Sequence, residues 1–463
     1  MTLPWISVDG ARLVDESGQT VRLKGVSLGG WMNMENFITG YPGAEQDVRR
    51  LMLDRMGHEA YEAYFESFYA SFIDDADAAF LASIGINSMR IAVNYRHFED
   101  DARPFELKEA GFERLDRAVR ILARHGIYSI LDLHALPGAQ NQHWHSDNPT
   151  HRATFWDHPH FQDRAIHLWQ ALAERYKDRP EVAGFNPVNE PSDPEGSALL
   201  AFYARLEKAV REIDPRHVLF LDGNKYSTDF SVFDRAEPLP NTVYTAHDYA
   251  LPGITSATEY PGVTRGEYFD RDVVEETFLR RTEYMRRTGT PIWIGEFGPM
   301  LPNLDAEPWR LQLLRDQLEI YRKYDASWAL WTYKDVGLQG LRTVDPASGY
   351  LTRIADVLAA KDRLGVDSWA GSDAGVRDIL DPIDALFDRE FPDYHPWPWG
   401  RRPHIAVLVR HILLAEPLAE LYADRFAGLD AAQAAELGRD FSFDRTLERT
   451  SLVELLRSHI AEG

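Results

Sequence analysis

The chain has no cysteine among its 463 residues. Disulfides, thiolate metal sites and cysteine nucleophiles are therefore excluded. It also lacks any apolar run approaching the roughly 20 residues that a membrane-spanning helix needs. Positive charge is scarce: 50 Lys and Arg stand against 73 Asp and Glu, for a formal net charge of −23. Nucleic acid and anionic membrane surfaces both select a basic footprint, so neither is an expected partner. No Gly-x-Gly-x-x-Gly turn follows an early strand, which argues against a dinucleotide-binding sheet. The first residues, Met-Thr-Leu-Pro-Trp-Ile-Ser, show no basic stretch leading into an apolar one. The expected location is cytoplasmic, or outside the cell if a leader has been removed.

What the chain does contain is organised around two short stretches, Phe185–Pro191 and Ile292–Pro299. Each is a run of β-forming residues that ends on a glutamate, Glu190 or Glu296, and breaks at Pro or Gly-Pro. A strand that delivers a carboxylate at its C-terminal end and then turns is how α/β barrels present catalytic groups. Six further segments read as strands: Leu23–Leu28, Ser88–Val93, Tyr128–His134, Val218–Leu221, Thr242–His247 and Ser327–Trp331. Most are apolar or β-branched with little alternation, as expected of strands buried on both faces. The fourth of the eight spans Val182–Val188, just before Glu190, and the seventh spans Ile292–Glu296.

Helical periodicity fills the gaps. Leu115, Val119 and Leu122 share one face of Phe112–His125, and Asp163–Tyr176, Leu199–Ile213 and Val273–Arg287 behave likewise. Eight strand-then-helix units predict a closed (β/α)8 barrel. Asp-Gly and Ser-Gly turns within residues 5–24 predict a β-hairpin at its closed end. Long loops are expected over Asn33–Ala70, Leu136–Phe161 and Tyr249–Val273, at the end where barrels build specificity. Residues 1–360 are read as the barrel and 361–463 as a mostly helical extension packed on it. The extension carries an aromatic and proline knot, Phe391–Trp399. No Gly/Ser/Pro-rich linker precedes it.

An Asn-Glu-Pro tripeptide alone is a weak signal, since an acid at a turn is commonly a helix cap. The set is stronger. Arg90, His134, Asn189, Glu190, His247, Tyr249, Glu296 and Trp331 all fall at or just beyond predicted strand ends, converging on one rim from at least six strands. Two carboxylates on such a rim point to glycoside hydrolysis.

This set resembles glycoside hydrolase family 5, in the clan of retaining (β/α)8 glycosidases with glutamates on strands four and seven. The resemblance rests on Ser-Met-Arg-Ile, Leu-Asp-Leu-His, Val-Asn-Glu-Pro, Ala-His-Asp-Tyr, Ile-Gly-Glu-Phe-Gly and Leu-Trp-Thr-Tyr, across roughly residues 20–360. It implies Glu190 as general acid and base, with a raised pKa, and Glu296 as an ionised nucleophile. Arg90 and the Tyr249 hydroxyl would hold Glu296 ionised. Asn189 would bond a sugar 2-hydroxyl, Trp331 would offer an apolar face, and His134 and His247 would be hydrogen-bonding partners. Retention follows if the carboxyl groups lie about 5–5.5 Å apart.

Other positions read two ways. Trp31, in a Gly-Gly-Trp segment similar to one in exo-acting β-glucanases of the family, is either a substrate wall or core. Trp144 lies in the loop Asn141–His145, which continues through His151, His158 and His160 and is either sugar-contacting or structural. No ligand spacing there matches a metal motif, so no metal or cofactor is expected. Lys334 and Asp335 could bond substrate hydroxyls. Glu35, Asp132, Asp222 and Asp248 read as structural hydrogen-bonding groups. The expected activity is a retaining β-glycosidase on gluco- or manno-configured sugars, exo-acting or on small glycosides. The rivals are an endo-glucanase or mannanase, a non-catalytic sugar-binding barrel and a metal-dependent barrel hydrolase. The expected partner is a carbohydrate or glycoside, with homo-oligomerisation left open.

Overall fold

The computed structural model describes residues 3–366 and 373–462. Eight parallel strands close into a barrel. They are β1 (Lys24–Met32), β2 (Ser88–Asn94), β3 (Tyr128–Ala135) and β4 (Val182–Asn186). The remainder are β5 (Val218–Asp222), β6 (Thr242–His247), β7 (Ile292–Glu296) and β8 (Ser327–Leu330). Each strand pairs with its neighbour in sequence, and β8 pairs back onto β1. Apart from the half-buried Lys24, every residue of these strands is buried, which is why their sequences run apolar without alternation.

Helices Glu109–Arg124, Pro159–Tyr176 and Ser197–Arg211 fill crossovers much as the periodicity predicts, and Pro308–Lys323, not singled out in the sequence, fills another. The helix expected over Val273–Arg287 is instead two, Arg271–Arg281 and Glu283–Thr288. They meet at Thr282, whose hydroxyl donates back to the Phe278 carbonyl at 2.8 Å and competes with the helical ladder.

The hairpin Ile6–Asp9 with Arg12–Asp15 plugs the N-terminal end of the barrel. Ile6 and Leu13 join a cluster with Leu23, Tyr128, Val218, Phe220 and Trp293 from the barrel interior.

The stretch Asn33–Ala70, expected as a long loop, is mainly helical. It holds Asn36–Thr39, Glu45–Met56 and most of His58–Phe72. Tyr64, Phe65, Phe68, Tyr69 and Phe72 bury one face of the last of these. The C-terminal residues pack there: Tyr422, Phe426, Leu437 and Phe441 belong to the same apolar core as Val26 and Trp31. A short strand, Thr446–Glu448, pairs antiparallel with Arg342–Val344. Helix Gly349–Leu364 runs across the expected boundary at residue 360. Its Lys361 donates to the carbonyls of Asn36, Gly40 and Tyr41 at 2.8–2.9 Å.

Candidate active site

The C-terminal ends of the strands converge on one cavity of about 210 Å³. Glu190, four residues past β4, has a left-handed backbone, φ 48°. A non-glycine residue holds that conformation only when its surroundings over-determine it. Here Asp222 at the end of β5 accepts from the Glu190 amide at 3.0 Å, and Asn141 donates to its carbonyl at 3.0 Å. Gln140 donates to the Asn189 carbonyl at 2.9 Å. The next crossover carries Lys225, Tyr226 and Ser227 at φ 51°, 58° and 58°, three more residues in the same costly region.

Glu296 ends β7 and faces Glu190. One oxygen of each lies within 4.8 Å of the other and of a ring nitrogen of His247. Arg90 on β2, with no exposed surface, donates to Glu296 Oε1 at 2.6 Å and to Asn189 Oδ1 at 2.7 Å. The Tyr249 hydroxyl donates to Glu296 Oε2 at 2.9 Å. Burial and then the Glu296 charge push Tyr249 well above the ordinary phenol range, so it stays a donor. His134 at the end of β3 sits between Asp132, at 2.7 Å, and Glu35, at 3.0 Å. Burial opposes its charge, but these carboxylates outweigh that and raise it to about 10. Trp331 stacks on the His134 ring at 5.2 Å and 11°.

The electrostatics reverse the expected order of a raised Glu190 and an ionised Glu296. Burial, opposed by Arg90 and reinforced by Glu190, pushes Glu296 up to about 8. Burial would raise Glu190 too, but His145 Nε2 at 3.0 Å and His247 Nδ1 at 2.8 Å bring it down to about 2 when both donate. That tautomer leaves His247 Nε2 a buried acceptor without a hydrogen-bond partner, 3.6 Å from the Asp222 carboxylate. With the proton on Nε2 instead, the repulsion becomes attraction. Nδ1 then accepts, and the 2.8 Å contact requires a proton on Glu190.

Of the residues expected at the site, the structure brings Glu190, Glu296, His134, His247, Tyr249, Trp331 and Trp144 to the cavity wall. Arg90 and Asn189 are fully buried directly behind it. Trp144 stacks on His143 at 5.2 Å and 7°. Three expected residues lie elsewhere. Trp31 is fully buried and its indole donates to the Tyr69 carbonyl at 3.1 Å, so it is core and not a substrate wall. Lys334 is sealed against Asp77 and the carbonyls of Phe72 and Phe441 at 2.8–2.9 Å. Asp335 accepts from the amides of Gly337, Leu338 and Gln339 and caps its own turn. Beyond β8 the chain has turned into a strand against Arg342–Val344, which carries both side chains away from the rim.

The cavity also includes Glu35, His145, Tyr226, Arg281 and Trp399, none of them among the expected site residues. Glu35, read as structural, and His145, in the aromatic loop, were visible as polar residues near strand ends. Tyr226 carries no local signal, and Trp399 stood out only as part of the aromatic knot. Glu190, His247 and Glu296 are the grouping, among the described residues, whose spacing could hold a metal ion. Their ligand atoms already hydrogen-bond one another and the surrounding donors.

The comparisons with known proteins agree with this geometry. A full-length relative, a β-xylosidase of Phanerodontia chrysosporium, is 42% identical over 478 residues, with all of both chains covered. Endoglucanase C of Acetivibrio thermocellus is 23% identical over 60% of this chain and 89% of its own. A solved glycoside hydrolase superposes with TM-score 0.53 at 21% identity, covering 68% of this chain and 90% of that one. An endogalactoceramidase does so with TM-score 0.54 at 18% identity, covering 72% and 75%. At those identities the two structures speak for the barrel fold. The model of the cellulase family, glycosyl hydrolase family 5, matches residues 14–337. The chain therefore belongs to glycosyl hydrolase family 5.

Proposed function

We propose that this glycoside hydrolase is a retaining, exo-acting β-glycosidase of small glycosides. One observation carries the reading: two carboxylates with oxygens within 4.8 Å of each other line a cavity of about 210 Å³. A separation of about 5–5.5 Å fits a nucleophile and an acid, whereas inversion needs about 6.5–9.5 Å to seat a water between them. The volume is below the roughly 300–1,000 Å³ typical of sites for drug-sized ligands, which favours one or two sugar rings over a long polymer.

Glu296, whose two oxygens accept from Arg90 and Tyr249, attacks the anomeric carbon as the anion it is when the pair's one proton sits on Glu190, and forms a glycosyl ester. Glu190, protonated opposite the His247 Nδ1 acceptor, gives its proton to the leaving oxygen. It then takes a proton from water, and that water hydrolyses the ester. Asn189, buried behind the wall, accepts from Arg90 at 2.7 Å and its amide nitrogen lies 3.2 Å from His134 Nε2, so it positions those two side chains. Trp331, braced by the His134 ring, is the apolar floor. The sequence favours a gluco- or manno-configured glycone, and the name of the full-length relative adds xylose. Xylose is glucose-like in configuration and lacks the hydroxymethyl group, so a shared xylo- or gluco-type ring is the reading we adopt.

The test is hydrolysis of aryl β-xyloside, β-glucoside, β-mannoside and β-cellobioside by wild type, Glu296→Ala and Glu190→Ala. One monosaccharide glycoside is expected to turn over. Glu296→Ala should abolish this, and Glu190→Ala should lower it by about 10²–10⁴. Cleavage of the cellobioside alone would establish an endo enzyme. Full activity in Glu296→Ala would discard the mechanism.

A further inference from the structure

The family match ends at residue 337, yet the cavity has a wall from beyond it. Trp399, in the C-terminal extension, lines the cavity and keeps 44% of its surface exposed. It is held there from several sides. Its ring lies 5.4 Å from that of Tyr226 at 38°, and the Lys225 ammonium sits 5.1 Å from its centre. Two residues earlier, the Trp397 indole donates at 2.8 Å to Ser192 Oγ, two residues past Glu190. The rest of the segment is fastened to the loop after β3. His404 Nδ1 meets His151 Nε2 at 3.0 Å, and His411 packs on Trp144 at 4.4 Å.

The position of this wall identifies its role. The general acid must face the leaving oxygen, so the leaving group lies on the Glu190 side of the cavity. On that side His145 contacts Glu190, Tyr226 lies next to His145 at 6.1 Å, and Trp399 lies next to Tyr226. Glu35, His134 and Trp331 lie towards β1, β3 and β8, and so surround the ring that Glu296 attacks. Past Trp399 the cavity continues into a wider groove that shares Thr228, Arg281 and Trp399 with it. An indole with 44% of its surface exposed at that junction offers apolar area suited to the apolar face of a second ring.

We propose that Trp399 is the leaving-group platform: the extension completes the active site by stacking the second pyranose ring of a β-linked disaccharide. This rests on the glycosidase reading above, and one comparison separates the two. With the glycone fixed by the aryl panel, kcat/KM is measured for its β-linked disaccharide and for its β-glycosyl fluoride. The fluoride leaving group has no ring to stack. In Trp399→Ala the ratio of disaccharide to fluoride should fall about tenfold, while Trp399→Phe, which keeps a ring, should recover most of it. An unchanged ratio in Trp399→Ala overturns the platform, as does an equal loss on both substrates, which would make Trp399 a structural prop. Failure of the wild type on the fluoride would instead remove the glycosidase reading itself.

Discussion

At the scale of single residues, the variable that governs the site is the proton held between Glu190 and Glu296. Acid catalysis needs one proton on the pair, and nucleophilic attack needs one vacancy. Burial and mutual repulsion keep the last proton bound up to about pH 8, the value reached by Glu296. Below that value the pair holds its proton, and above it both groups are anions and the acid is gone. The alkaline limb of kcat/KM for an unactivated glycoside should therefore fall near pH 8. A limb at pH 5 would show that the pair is not coupled in this way. The residues that make this pair were legible because each closes a β-forming run, Glu296 at the end of β7 and Glu190 four residues past β4, and strand ends in a barrel meet on one rim. Lys334 and Asp335 were misplaced for a related reason. They follow Trp331 closely in sequence, but nothing in their composition shows that the chain has already turned away. Tyr226 depends on three successive left-handed residues, a conformation no local sequence rule predicts.

At the scale of elements, the strand ends were found to within two residues, except that β1 runs four residues past the expected Leu28, because double burial leaves an unbroken apolar run. The helices after β1 were read as loop. Their aromatic residues are indifferent helix formers, and what holds them helical is packing against residues far along the chain, as where Ser67 meets Ala435, 368 positions away. The closeness of the strands can be tested at Gly184 in β4. A Cβ there would lie 2.0 Å from the Val218 carbonyl and 2.8 Å from the Phe220 ring. Gly184→Ala should part β4 from β5 at a cost of about 1–3 kcal/mol, read as a lower denaturation midpoint with unchanged slope. Because Glu190 follows β4, its activity should fall further than its stability explains. A variant as stable and active as wild type would mean that the barrel relaxes there freely.

At the scale of the whole molecule, the described C-terminal residues share one apolar core with the family-matched barrel. Phe426 and Phe441 are fully buried in the core that also contains Trp31 and Phe72. Deleting one such aromatic side chain costs about 3–5 kcal/mol, while a whole domain is stable by only about 5–15 kcal/mol. A chain ending at residue 366 loses several at once. It should give no cooperative thermal transition and should bind ANS, whereas a sharp transition would mark the barrel as self-sufficient. The extension could be recognised in the sequence as helical, but not as part of the core, because its apolar faces do not name their partner.

The shared core also sets an order of events during synthesis. A ribosome releases the helix His58–Phe72 long before it has made Phe441. For most of translation the barrel thus carries an uncovered aromatic face of the kind that chaperones bind. Both catalytic glutamates are made once residue 296 has emerged, but β8, which closes the barrel, and Phe426 and Phe441, which complete its core, come later, so the chemistry waits on the last part of the chain to be synthesised.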